Sequence, residues 1–420
     1  MTEGSERNLA SLVEERDTTG NIASVIYWGD NLNVLKRFPS NSIDLIYLDP
    51  PFSPNREYWD IWGEDEKGKD EAVIEAYNEA CRGGRQTYVD WIEERARLMH
   101  RVLKETGSFY FHCDPQLGHY FKAMLDNIFK NSDFGYDKFR NEIVWCYSGG
   151  GIPTEDLPRK HDTIFRYVKN PDSNYTFNVQ YRPYTEGTLQ RGRTKIKGKY
   201  AKLRAEGTPI TDWWTDVPKI TSPTDKEKTG YATQKSVALL ERIVRISSNP
   251  GDVVLDPFCG CGTTIVATQN LNRKWIGMDI AEKGCKTSGK RLAELDTPYS
   301  IIPWDLNERQ LKELKVLSGN EFQSWVLLRI GGQRRRGADR GIDLYTSTLE
   351  PVQVKKPKVG PAVLRDFRTA LQRERKNKGY IVGFDFTGGA VEESNRYKAK
   401  ESLEIKLVRV EELDEVFNPI

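Results

Sequence analysis

Residues 43–52 read Ile-Asp-Leu-Ile-Tyr-Leu-Asp-Pro-Pro-Phe. Ile43 to Leu48 is a short, mostly apolar run, the pattern of a buried parallel strand. It stops at Asp49-Pro50-Pro51-Phe52, where two prolines remove two backbone donors and sheet pairing cannot continue. The expectation is a stiff turn at the carboxyl end of a strand, where open α/β sheets hold their ligands. The turn offers a carboxylate, an acceptor-rich backbone and an aromatic ring. A nucleobase exocyclic amine is a poor nucleophile because its lone pair is conjugated into the ring. Asp49 Oδ and the Pro50 carbonyl can each accept one N–H, which localises that lone pair, and Phe52 can stack on a base turned out of a duplex. A plain proline turn with Asp as turn former has the same local signature, so the rest of the chain decides.

A chain of 420 residues holds two or three domains with ample core. Its net charge of +2 says little about nucleic acid, so local clusters carry that question. The six cysteines, at 81, 113, 146, 259, 261 and 285, show no Cys-x-x-Cys spacing and no disulfide framework. Cys259-x-Cys261 has no second pair or nearby His, which argues against zinc, and the four His are scattered. No signal peptide or spanning apolar run is visible. The expected setting is reducing, soluble and cytoplasmic, away from membrane.

Residues 1–20 are polar and read as a loose arm. Ala23–Trp28 reads as a strand, followed by Gly29-Asp30 and a helix from about Asn31 to Arg37. Residues 60–87 are charged and Gly-rich, the texture of an insert beside a site. Tyr88–Leu103 is a predicted helix with Tyr88, Trp91, Ile92, Leu98, Met99 and Val102 on one face. Gly107 is expected to end that unit before a strand at Ser108–His112. A helix over about 116–130 and strands at Ile143–Tyr147 and Thr163–Val168 follow. Residues 170–225 are aromatic, Gly- and Pro-rich. They include a basic run of Arg191, Arg193, Lys195, Lys197, Lys199, Lys202 and Arg204 around Tyr200. Bases interleaved with aromatics suit phosphate and groove contact.

After a predicted helix at Ser236–Ser247 comes a second informative stretch, Asp252-Val-Val-Leu-Asp256-Pro-Phe-Cys-Gly260-Cys-Gly262-Thr-Thr264. A strand runs into a Gly-rich turn, a helix over 263–271 and a strand Lys274–Met278 ending at Asp279. This is the opening of a doubly wound nucleotide-binding sheet. The glycines admit close backbone approach by a ligand, and Asp279 is placed for ribose hydroxyls. The spacing is not the G-x-G-x-x-G of dinucleotide binders.

Taken together the two stretches resemble the β-group amino-methyltransferases of DNA, over about residues 21–300. The resemblance rests on Gly29-Asp30, Asp49-Pro50-Pro51-Phe52, Asn141-Glu142-Ile143-Val144-Trp145, Thr233-Gln234-Lys235 and Asp256-Pro257-Phe258-Cys259-Gly260-Cys261-Gly262-Thr263-Thr264. The catalytic motif precedes the cofactor motif, the permuted order of that group. The resemblance implies an α/β fold with a circularly permuted Rossmann-like sheet and S-adenosyl-L-methionine as methyl donor. Asp256, Phe258, Gly260, Gly262, Thr263 and Thr264 would line the methionine half of the cofactor. Asp279 would hold its ribose, Asp30 would approach the adenine amino group, and Gln234 and Lys235 would lie near the carboxylate. Asp49, Pro50, Pro51 and Phe52 would carry the transfer to an amine of double-stranded DNA. The basic stretch 170–225 falls where the group keeps its target-recognition region, about 150–230. Asp in the first motif position favours adenine N6, Phe52 in place of Tyr softens this, and cytosine N4 stays open. Carbon-5 chemistry would need a Pro-Cys nucleophile, and no such dipeptide occurs. The group often forms homodimers.

Residues 301–319 read as a linker with a charged helix, and a separate unit spans 320–420. Asp343 precedes Val352-Gln353-Val354-Lys355, and Gln353 and Lys355 share a strand face by the period of two. This resembles the Mrr-like branch of the restriction-endonuclease fold, which implies a small α/β domain. Asp343 and Gln353 would hold Mg²⁺, with Lys355 beside them and Glu321 as a candidate upstream acid. Such a domain either cuts DNA, giving restriction and modification in one chain, or only holds it. A nuclease-led enzyme that uses the methyl donor as a sensor is the remaining alternative.

Overall fold

A computed structural model describes residues 24–51, 84–130, 137–149, 153–193, 203–220, 225–231, 233–304, 308–335 and 341–417. Phe52, the N-terminal arm, residues 60–83 of the charged insert, and the Lys195–Lys202 part of the basic run lie outside the described residues. The chain forms two compact units, a larger one of Ser24–Ile26 and Ser40–Tyr299 and a smaller one of Tyr27–Pro39 and Ser300–Ile420.

The strands begin with β1 (Ser24–Trp28), β2 (Ile43–Leu48), β3 (Leu103–Cys113), β4 (Phe139–Cys146) and β5 (His161–Val168). They continue with β6 (Tyr181–Arg182), β7 (Thr208–Pro209), β8 (Trp213–Trp214), β9 (Val253–Asp256) and β10 (Lys274–Asp279). In the larger unit the sheet order runs β10-β9-β2-β3-β5-β4-β8. β10, β9, β2 and β3 are parallel, and β5 is antiparallel to both β3 and β4. The strand of Asp49 therefore sits between the cofactor-type strand β9 and β3, at the centre of a Rossmann-like α/β sheet.

Apolar periodicity decides which helix covers which face. Helix Val237–Ser247 buries Leu239, Leu240, Ile243, Val244 and Ile246. They pack with Leu45, Tyr47, Tyr110, Ile143, Trp145, Ile164 and Val254 of the sheet. Each such side chain contributes about 1.5–3 kcal/mol relative to exposure. Helices Arg85–Val102 and Gly118–Phe129 pack on one another, with Phe121 against Phe111 of β3 and Phe129 against Phe109.

Three local expectations change. The break at Gly107 is absent, because β3 runs through it and absorbs the irregularity as a register shift opposite Ile43 and Leu45. The stretch around 203–220, expected to be part of a recognition loop, builds sheet structure. Val144 and Trp145 pair with Trp213 and Trp214, so β8 extends the sheet, and the Trp145 indole donates to the Val217 carbonyl at 2.9 Å. The expected linker has its charged helix, Glu308–Val316, but also carries a strand, β11 (Tyr299–Pro303). An apolar ring in that stretch demands cover, and Trp304 is fully buried, edge-on to Tyr27.

The smaller unit carries a five-stranded sheet of β12 (Gln333–Arg334), β13 (Leu344–Tyr345), β14 (Pro351–Lys355), β15 (Lys378–Gly383) and β16 (Glu404–Arg409), in that order. β12, β13 and β14 are antiparallel, while β14, β15 and β16 are parallel. Helix Pro361–Arg373 packs Leu364, Phe367, Ala370 and Leu371 into its core. Asp343 lies just before β13.

Candidate active site

The turn after β2 carries Asp49, whose side chain is 15% exposed. Pro50 is buried, and the Pro51 carbonyl accepts from the Tyr88 hydroxyl of helix Arg85–Val102. One Asp49 oxygen, Oδ2, accepts from Lys235 Nζ at 2.5 Å. The other, Oδ1, is buried and has no hydrogen-bond partner among the described residues. A buried carboxylate oxygen costs free energy until a donor reaches it.

Beside it β9 ends in Asp256, which accepts from the Phe258 N–H at 3.0 Å and from the Thr264 hydroxyl. The chain then turns through Gly260 (φ +48°) and Gly262 (φ +77°). Thr263 and Thr264 open the next helix, Thr263–Asn270. Gly262 has no room for a side chain, since a Cβ there would stand 2.5 Å from Ser288 Oγ. Asp279 accepts from the Gly260 N–H at 2.7 Å and the Ala281 N–H at 2.8 Å, tying the Gly-rich turn to the end of β10. Arg291 supports the turn from beneath, donating to the Cys261 carbonyl and to Thr263 Oγ1.

Several expected site residues have partners of their own. The Gln234 amide accepts from Thr229 and donates to the Glu227 carbonyl, so it closes its own loop. Lys235 reaches Asp49. Asp30 belongs to the smaller unit, where it caps helix Asn31–Arg37 by accepting from the Leu32 N–H at 2.9 Å. Glu321 is committed to a capping box with Ser318 and accepts from the Ser300 hydroxyl. Gln323 instead donates to Asp343 Oδ1 at 3.0 Å, and Asp343 Oδ2 accepts from the Val354 N–H at 2.7 Å. Gln353 Oε1 is buried with no partner among the described residues. This donor set does not fit Mg²⁺ well: it offers one carboxylate, already accepting at both oxygens, and a neutral amide. Among the described residues no group of three or more His, Cys, Asp and Glu side chains could hold a metal ion.

Sequence reasoning missed a buried polar layer next to Asp49. Tyr47 Oη meets His112 Nδ1 at 2.8 Å, His112 Nε2 meets Asp162 Oδ2 at 3.2 Å, and the Tyr147 hydroxyl donates to Asp162 Oδ1 at 2.9 Å. Burial pushes the Asp162 carboxyl up, but His112, Lys235 and Tyr147 together bring it down to about 2. These residues come from separate strands with no spacing signature, so nothing in the sequence marks them as a set. Among the described residues no helix is long and apolar enough to cross a membrane.

Burial pushes the Asp256 carboxyl up to about 7, Asp49 and Asp279 add to this, and the bonds from Thr264 and Phe258 oppose it. Between the ordinary carboxylate range and about pH 7 the folded chain thus holds a proton that the unfolded chain has released. Stability falls as pH rises through that window. Melting temperatures taken from about pH 5 to about pH 8 should decline more steeply for wild type than for Asp256→Asn. Parallel slopes would contradict the assignment.

A central strand ending in a carboxylate, beside a Gly-rich turn on the next parallel strand, defines the class of α/β group-transfer enzymes. The chain belongs to the DNA methylase family of N6 and N4 methyltransferases, whose model matches residues 43–290. It is 30% identical over 303 residues to the type II methyltransferase M.BamHI of Bacillus amyloliquefaciens, across 70% of this chain and 64% of that enzyme, just under two thirds of its length. It is 31% identical over 279 residues to the DNA adenine methyltransferase YhdJ of Escherichia coli, across 65% of this chain and 84% of that one. Among solved structures, the cytosine-N4-specific PvuII DNA methyltransferase is similar at a TM-score of 0.43 and 18% identity, covering 73% of this chain and 93% of that one.

Proposed function

We propose that the chain transfers a methyl group from S-adenosyl-L-methionine to the N6 amine of adenine in duplex DNA, with the base turned out of the helix. The observation that carries this reading is Asp49 Oδ1, a buried acceptor without a partner among the described residues, at the end of the central strand. When bound, the cofactor supplies an electrophilic methyl carbon, so that an N–C bond forms as its sulfonium C–S bond breaks. Asp49 Oδ1 accepts one N–H of the amine, keeping the nitrogen lone pair out of the ring, and then takes the proton that the methylated amine releases. Lys235 fixes the other oxygen, which orients the carboxylate. The positive φ of Gly260 and Gly262 suits a backbone that a ligand approaches closely. Asp279 holds that turn, and its carboxylate is the group that would meet a ribose hydroxyl. The name of the YhdJ relative, a DNA adenine methyltransferase, favours adenine, and the type II relatives favour a place in restriction–modification.

For the smaller unit the reading is DNA contact without cutting, because its donor set is short of the negative charge that Mg²⁺ needs. Unmethylated genomic DNA incubated with labelled methyl donor, with and without Mg²⁺, tests both parts. After hydrolysis the label should lie in N6-methyladenine and the Mg²⁺ sample should stay intact. Label in N4-methylcytosine would move the target base. Mg²⁺-dependent strand breaks lost in Asp343→Ala would overturn the reading of the smaller unit.

A further inference from the structure

The polar layer beside Asp49 crosses the strand ends of the larger unit. Tyr47 lies two residues before Asp49 on the same face of the chain. His112 is on β3, Asp162 on β5, and Tyr147 directly follows β4. His112 is fully buried. Its ring is edge-on to Tyr47 at 6.1 Å and to Trp145 at 5.8 Å, and Trp145 is edge-on to Tyr147 at 5.3 Å. The imidazole is packed among these rings with Nδ1 toward Tyr47 and Nε2 toward Asp162. Stability alone does not account for such a layer. Buried polar and charged groups of this kind can usually be replaced by apolar residues of similar volume without loss, and the surrounding core is already aromatic. The layer lies against the reacting group. The Asp162 carboxylate is in the field of the Lys235 ammonium that holds Asp49 Oδ2. A second cation, Lys219 Nζ, sits 4.4 Å over the Tyr147 ring and in the field of both Asp162 and Asp49.

We propose that Asp162 is a positioning residue for methyl transfer, acting on Asp49 both through His112 and Tyr47 and through the charge of Lys235. The first route is mechanical. The chain Asp162–His112–Tyr47 pins the side chain two residues before Asp49 and so fixes the last turn of backbone before the prolines. The second is electrostatic. Two ammonium groups, Lys235 and Lys219, face two carboxylates, Asp49 and Asp162. With Asp162 ionised, the pull of the cations is divided, and Asp49 Oδ1 keeps its strength as an acceptor for the target amine. Without it, both cations act on Asp49 alone. The carboxylate is then a weaker acceptor, and its Oδ1 turns more readily toward Lys235 and away from the amine. Asp162 does not touch the reacting atoms and acts only through these neighbours.

This inference rests on the methyl transfer proposed above. The test compares wild type, Asp162→Asn, Asp162→Glu and Tyr47→Phe in single-turnover methylation of duplex DNA, with KM for DNA, cofactor affinity by calorimetry, and thermal melting. Asp162→Asn is expected to lower kcat by about 10- to 100-fold, the scale of a misplaced catalytic group. Its KM and cofactor affinity should stay within about twofold of wild type. Asp162→Glu, which restores the charge, should recover part of the loss. Tyr47→Phe, which keeps every charge and cuts the mechanical link, should lose roughly three- to tenfold in kcat. A folded Asp162→Asn with kcat within about twofold of wild type overturns the proposal, as does a fall in kcat matched by equal loss of cofactor affinity and melting temperature. If Asp162→Asn does not fold, Tyr47→Phe decides, and full kcat in that variant overturns the proposal. A wild-type chain that methylates no DNA would instead remove the function on which the inference rests.

Discussion

Asp49→Ala should leave the cofactor bound and methyl transfer absent. The two halves of that outcome come from different atoms. The Gly-rich turn at 260–262 and its support by Asp279 and Arg291 do not involve the Asp49 carboxylate. In the proposed reaction the acceptor for the amine is Asp49 Oδ1, which is buried without a partner among the described residues. Losing one preorganised electrostatic contact to a transition state typically costs about 10²–10³ in kcat, and here the proton acceptor goes with it. A fall of at least about 10³-fold is therefore expected in a labelled-methyl assay, with cofactor affinity by calorimetry near wild type. The alanine variant also strands the Lys235 ammonium, 8% exposed, without its partner oxygen, so its melting temperature should drop. Asp49→Asn keeps the shape and separates the two effects: it should melt closer to wild type and remain inactive. Retained methylation in either variant would remove Asp49 from the reaction.

Gly262→Val is expected to have the reverse profile, loss of cofactor binding first and activity as a consequence. Its φ of +77° lies in the left-handed region, and a Cβ there would meet Ser288 Oγ at 2.5 Å and Ser288 Cα at 3.1 Å. The second contact is backbone, which cannot rotate away. Ser288 Oγ also donates to the Gly260 carbonyl at 2.9 Å, so moving it loosens the turn on its other side. A β-branched residue held in this conformation costs on the order of 1–3 kcal/mol before the clash is counted. Calorimetry should show at least about tenfold weaker cofactor binding, and the melting temperature should fall by several degrees. Unchanged affinity would mean that the turn does not hold the cofactor.

Much of this site could be read from the chain because local rules act on contiguous residues. The run before Asp49 is apolar and the prolines end it, and the observed strand has the expected bounds Ile43–Leu48. Gly260 and Gly262 announce a turn that other residues resist, and both take positive φ. What could not be read is pairing across strands. Lys235 follows Gln234 in a motif and invites the same role, yet one reaches Asp49 and the other closes its own loop. His112 and Asp162 lie 50 residues apart, and only the order β3-β5 with β5 antiparallel brings them together. Glu321 has the composition of a metal ligand, but three residues after Ser318 it satisfies the capping box of its own helix, and local geometry wins. Trp304 looked like part of a connector because its partners Tyr27 and Trp325 are distant in sequence.

The neighbours of the central strand have a consequence for the birth of the protein. β2 pairs with β9, Leu45 with Val254 and Ile46 with Leu255, and the Val253 N–H is held by the Asp44 side chain across 209 residues. At a synthesis rate of about 5–20 residues per second, the strand bearing Asp49 leaves the ribosome roughly 10–40 s before the partner for that edge exists. During that interval an apolar strand waits with one side unpaired, the kind of edge that recruits other chains. The permuted order thus leaves this edge exposed to non-native pairing until the second half of the sheet is made. It also means that no nascent chain shorter than about 260 residues carries both the Asp49 turn and the Gly-rich turn.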